Sequence, residues 1–65
     1  MKIDNLSKIL AVITAAGKGE HTICAEHDAI FLLPSDEIEE DSVAGKQLIE
    51  LDCFYDESSG WAVFV

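Results

Sequence analysis

The sequence predicts an α+β domain of two layers: a four-stranded antiparallel sheet with two helices on one face, in the order α-β-β-α-β-β. Three observations carry this. Leu6, Ile9, Leu10 and Ile13 recur at i, i+3, i+4 and i+7, which is one apolar stripe of a helix. Two pairs of short strand-forming stretches each flank a polar turn. Between the pairs lies a second helix-spaced set, Val43, Ala44, Gln47, Leu48 and Leu51.

Taken in order, the first helix is expected over residues 5–16, with Asn5 or Asp4 able to cap its start and Gly17 to close it in a left-handed turn. A short loop, Lys18-Gly19-Glu20, leads to strands at residues 21–25 and 29–33 around the turn trio Glu26-His27-Asp28. Pro34 stops the second strand, and residues 35–41 form a polar connection. The second helix is expected over residues 41–51, capped by Asp41 or Ser42. Gly45 inside it costs about 1 kcal/mol relative to Ala. Strands at 53–56 and 61–65 flank Glu57-Ser58-Ser59-Gly60, whose glycine suits a left-handed turn position.

Sixty-five residues with no repeat or linker read as a single small domain, residues 1–65. With 49% hydrophobic residues the chain is too apolar for an acidic disordered tail. No apolar stretch exceeds five residues, so no membrane span is expected. No basic n-region precedes an apolar h-region, and two cysteines cannot make a dense disulfide framework. The expected compartment is the cytoplasm.

Charge is the most informative property. Thirteen acids face four lysines and no arginine, a net −9. Residues 1–35 hold four acids and three lysines, whereas residues 36–65 hold nine acids and one lysine. That balance argues against direct nucleic-acid binding and for a basic partner reached by electrostatic steering. Clustered like charges repel one another, a cost that a purely structural surface dilutes with lysines.

The run Ala25-Glu26-His27-Asp28-Ala29-Ile30, the helix closing on Leu51-Asp52, and the ending Gly60-Trp61-Ala62-Val63-Phe64-Val65 together resemble very small acidic proteins of phages and prophages. Within that group the chain is similar to anti-CRISPR proteins directed against type I-C systems. The resemblance implies an inhibitor in the bacterial cytoplasm that imitates DNA and occupies the DNA-reading surface of a CRISPR effector subunit. It brings no residue-level motif, so the site assignment rests on charge.

By charge, the partner-binding residues are Asp36, Glu37, Glu39, Glu40 and Asp41, extended by Glu50, Asp52, Asp56 and Glu57. The plain reading of the run at 36–41 is a solvated loop whose acids favour the positive end of the following helix. The functional reading is that the carboxylates accept arginine forks as phosphates do. Duplex DNA carries one charge per ~1.7 Å, so such a patch matches only about 15 Å of duplex. That is enough for a short protospacer-adjacent element read by protein.

Other constellations are weaker. His21, Cys24, His27 and Cys53 suggest a metal quartet, but strand alternation sends Cys24 to the face opposite His21, and no metal or other cofactor is expected. The run at 36–41 lacks the central glycine of a calcium loop. Ala16-Gly17-Lys18-Gly19 reads as a helix end, since a phosphate loop needs a preceding strand. No nucleophile motif appears, so no enzyme is expected. Phe31, Phe54, Tyr55, Trp61 and Phe64 lie on expected strands, where core packing is the plain reading, but strand residues 29–33 and 61–65 are apolar on both faces while two helices can cover only one. The second functional reading follows: an interaction module binding through that apolar face, as a monomer or dimer, with acids serving solubility.

Overall fold

The apolar spacing near the start does form a helix. In the computed structural model, which describes residues 1–65, α1 spans Ile3–Ala15 and is followed by β1 (Cys24–Glu26), β2 (Ala29–Leu33), α2 (Val43–Glu50), β3 (Cys53–Asp56) and β4 (Gly60–Phe64). The class is α+β, in the predicted order. All pairings are antiparallel, with the strands arranged β1-β2-β4-β3.

α1 begins two residues earlier than expected, after Lys2, and no side chain caps it. Asp4 sits in the first turn, where the macrodipole favours an acid. Asn5 instead donates from Nδ2 to the Leu51 carbonyl (3.0 Å), tying the start of α1 to the end of α2. The helix closes as a Schellman motif: the Lys18 N–H reaches the Ile13 carbonyl (3.1 Å) and the Gly17 N–H the Thr14 carbonyl (3.0 Å). Gly17, at φ 79°, takes the left-handed position. Within the stripe, Ile9 and Ile13 are buried and Leu10 faces solvent, with Val12 packing against the core instead.

β1 starts at Cys24, so residues 21–23 lie outside the sheet, and the turn is only His27-Asp28, with His27 at φ 53°. All three β1 residues are exposed, because no helix reaches this edge. β2 pairs with β4 through a register shift between Phe31 and Leu33. That irregularity lets Leu32 and Leu33 both join the core cluster, where strict alternation would send them to opposite faces.

α2 is capped by Ser42, whose Oγ accepts from the Gly45 N–H at 3.0 Å. Gly45 is more than a weak helix former. A Cβ there would lie 2.1 Å from the Glu39 carbonyl oxygen and 2.8 Å from that of Glu40. The acidic connection therefore lies backbone-to-backbone against the first turn of α2.

The core joins Ile9 and Ile13 of α1, Leu48 of α2, and Leu32, Trp61, Val63 and Cys53 on one face of the sheet. Ile38 and Leu33 complete it. Trp61 is fully buried, and its Nε1–H donates to the Ile38 carbonyl at 2.8 Å. No buried side-chain nitrogen or oxygen lacks a partner. No helix is long and apolar enough to cross a membrane.

Helix propensity alone makes Gly45→Ala stabilising by about 1 kcal/mol. The contact with Glu39 reverses that sign. The substitution is expected to destabilise the domain by about 1–3 kcal/mol, read as a lower urea midpoint at unchanged slope.

Candidate functional site

The acidic connection is built around one apolar residue. Ile38 is 5% exposed and plugs the core, while Asp36, Glu39, Glu40 and Asp41 around it are exposed. The segment is held by its own backbone: the Glu37 N–H donates to Pro34 O (3.3 Å), and the Ser42 N–H (3.2 Å) and Oγ–H (2.6 Å) both donate to Glu39 O. Four carboxylates thus project from a pinned loop.

Glu37 turns elsewhere. Its Oε2 accepts from Lys18 Nζ at 2.9 Å and its Oε1 lies 3.1 Å from His21 Nε2. The Lys18 hydrogen bond, followed by the lysine and histidine charges, holds the Glu37 carboxyl below its usual range against an opposing desolvation. The same bond raises the Lys18 ammonium. Sequence spacing marks Lys46 as the sole cation near the acidic half; Lys18 and His21 reach it across the fold, a contact with no local periodicity to announce it. Lys18–Glu37 is the only lysine–carboxylate ion pair in the structure, with His21 in hydrogen-bond reach of the same carboxylate.

Asp56 closes the β3–β4 turn. Its Oδ1 accepts from the Ser58 N–H and Oγ–H, both at 3.0 Å, and its Oδ2 from the Ser59 Oγ–H at 3.1 Å. Those bonds, the Ser58 N–H first, lower its pKa. The Ser35 Oγ–H donates to the Glu57 carbonyl at 2.9 Å, so the hairpin tip rests beside the start of the acidic connection.

Glu50 and Asp52 stand apart. Asp52 leads into β3 and Asp56 ends it, and four strand steps separate the two by about 13 Å. Both acids lie at the negative end of α2, whose last turn holds no basic residue. Asp52 also takes a left-handed conformation, φ 71°, that a residue with Cβ adopts at a cost. Of the nine residues selected by charge, Asp56 and Glu57 lie at the hairpin tip, Asp36, Glu39, Glu40 and Asp41 on the connection whose start touches that tip through Ser35, Glu37 is paired with Lys18, and Glu50 and Asp52 lie at the other end of β3.

The sheet face away from the helices is apolar. Directly paired residues share a face, so Cys24, Phe31, Ala62 and Phe54 form one row across all four strands, and Glu26, Ala29 and Phe64 form the next. The Phe54 and Phe64 rings stack with centroids 4.8 Å apart, and Phe64 remains 59% exposed. The expectation that helices would leave one sheet face bare is met, with Tyr55 and Trp61 on the covered side.

The side chains of His21, Cys24, His27 and Cys53 do not converge. His21 lies outside β1 and is engaged with Glu37, His27 occupies the β1–β2 turn, and no group of three or more His, Cys, Asp or Glu side chains converges. Cys24 lies on the bare face of one outer strand and Cys53 on the core face of the other, three strand spacings or about 14 Å away, too far for a disulfide. A groove of about 440 Å³ between His21, Cys24, Phe31, Pro34 and Ser58 is wide and open. Comparison with protein-family models, with curated proteins and with solved structures finds no match.

Two outcomes follow from these environments. Burial, with Asp52 alongside, pushes the Cys53 thiol up to about 11, so a thiol reagent at neutral pH should label only Cys24 in the native state and both cysteines in denaturant. Glu37 and Asp56 are held below their usual values, so the stability they contribute is present above the unfolded-state carboxylate pKa and lost as pH falls through the depressed folded-state values. Wild type should exceed the Glu37→Gln and Asp56→Asn variants in urea midpoint at neutral pH and converge with them near pH 2.

Proposed function

We propose that this protein is a binding inhibitor without catalytic activity, whose acidic end takes the place of DNA phosphates in the basic groove of a nucleic-acid-binding protein. The observation that carries this reading is the set of exposed carboxylates on the acidic connection and the hairpin tip it touches, Asp36, Glu39, Glu40, Asp41, Asp56 and Glu57, none of them in an ion pair. The segment that bears most of them is fixed by Ile38 and Gly45, so little ordering entropy is lost when a partner binds. Carboxylates so held accept the forks of arginines that otherwise grip phosphates.

Size sets the scope. The longest dimension of the molecule is 26 Å, shorter than one ~34 Å turn of duplex. The acidic end therefore imitates a brief duplex element. The resemblance to type I-C anti-CRISPR proteins points to the protospacer-adjacent site of a CRISPR effector, where protein side chains read only a few base pairs. A second reading, an interaction module that binds through its sheet face, draws on the exposed Phe64 ring.

The test is competition. Purified type I-C effector complex is incubated with a duplex bearing its recognition element, and this protein is titrated in. Wild type should displace the duplex, with affinity falling steeply as salt rises. The combined Asp36→Asn, Glu39→Gln, Glu40→Gln, Asp41→Asn and Glu57→Gln variant should remain folded and lose about a hundredfold or more in affinity. Glu50→Gln with Asp52→Asn should change it little. Unaltered affinity and salt dependence in the five-site variant would defeat DNA mimicry.

A further inference from the structure

The geometry points to the bare sheet face as a docking surface for a basic amphipathic helix of a partner protein. The inference deepens the second reading above by naming the chemistry of the partner, and it rests on that reading rather than on the acidic end.

The face is apolar at its centre and acidic at its edge. Phe31 and Phe54 flank the fully buried Ala62 in register, and Phe64 stacks on Phe54 while remaining exposed. The charged side chains in register on this face are Glu26 and Asp56. The turns that border it add Asp28 and Glu57. Three of the four lysines lie elsewhere, Lys8 on α1, Lys18 in the connection after it and Lys46 in α2, while Lys2 borders the face at its Phe64–Val65 end. With four acids against Lys2, the rim of this apolar patch is net acidic, and that balance selects its occupant.

Three occupants are disfavoured by that rim. A second copy of the chain would bring acids against acids at a net charge of −9 each. An anionic lipid surface is repelled for the same reason. Nucleic acid is excluded by sign. A segment with apolar residues on one stripe and Lys or Arg on its flanks meets both demands, since phenyl faces also attract cations.

A helix fits the dimensions. Four strands at ~4.8 Å spacing make a face about 14–19 Å across, the length of a helix of about 10–13 residues. The opposite face of the same sheet already seats helices, α1 being 13 residues long. A docked helix would complete a three-layer arrangement and bury Phe64.

The experiment uses the full chain, ¹⁵N-labelled, titrated with three synthetic helical peptides of equal length: a Leu/Lys amphipathic helix, a Leu/Gln helix with the same apolar stripe, and a Ser/Lys helix with the charge alone. The Leu/Lys peptide should shift the amides of Phe31, Phe54, Ala62 and Phe64. Phe64→Ser and, separately, Glu26→Lys should each weaken it about tenfold or more. Both positions are exposed, so the folded spectrum should persist. Equal binding of Leu/Gln and Leu/Lys at this face would overturn the assignment of a basic partner while leaving a docking face in place. Shifts confined to residues 36–41, with the face silent toward every peptide, would overturn the docking face itself. A concentration-dependent dimer that Phe64→Ser abolishes would show that a second copy covers the face, and would overturn the proposal.

Discussion

One hydrogen bond organises this small protein: the Trp61 indole donating to the Ile38 carbonyl at 2.8 Å. Trp61 lies on β4, a central strand, and is wholly removed from water. Its single donor must find an acceptor, since an unpaired buried polar group costs about 1–3 kcal/mol. The acceptor comes from the middle of the acidic connection. Once that carbonyl is fixed, the Ile38 side chain drops into the core, and the residues on either side are forced outward. The display of Asp36, Glu39, Glu40 and Asp41 is thus a consequence of how the largest core side chain satisfies its one polar atom.

A second constraint acts on the same segment. Glu39 and Glu40 lie so close to α2 that only glycine fits at position 45, and Ser42 binds both the Glu39 carbonyl and the Gly45 N–H. Helix cap, glycine and acidic loop form one unit. Glycine inside a helix, which looks like a weakness when propensity is considered alone, is here the condition for close approach. The loop backbone therefore behaves as part of the folded body, with the exposed carboxylates projecting from it.

Most of the architecture was legible because it is written in local pattern. The stripe through Leu6, Ile9 and Ile13, the closing Gly17, the Ser42 cap and the two hairpin turns are all signals within a few residues of one another. What was hidden is tertiary. The late start of β1 goes with the pull of Lys18 and His21 toward Glu37, sixteen and more residues away in sequence. The exposure of Leu10 depends on how α1 is rotated against the sheet, which periodicity leaves open by a fraction of a turn. The role of Ile38 was masked by its neighbours, since one apolar residue among five acids reads as incidental. For the site, charge spacing identified the acids but could not sort them. Glu50 and Asp52 fall at the far end because β3 carries the chain across the sheet between Asp52 and Asp56.

That separation has an electrostatic meaning. At physiological ionic strength the screening length is about 8 Å, shorter than the roughly 13 Å spanned by β3. A groove closing on the hairpin tip would feel Asp36, Glu39, Glu40, Asp41, Asp56 and Glu57 and be nearly blind to Glu50 and Asp52. The far pair gains nothing locally either, being placed against the dipole of α2 with no cation to offset it. Asp56 holds the opposite position. It lies at the tip, in register with the bare sheet face, and is locked by Ser58 and Ser59. The acidic end and the apolar face therefore meet at Asp56, with Glu57 beside it, and a partner engaging either surface would be oriented by the same charges.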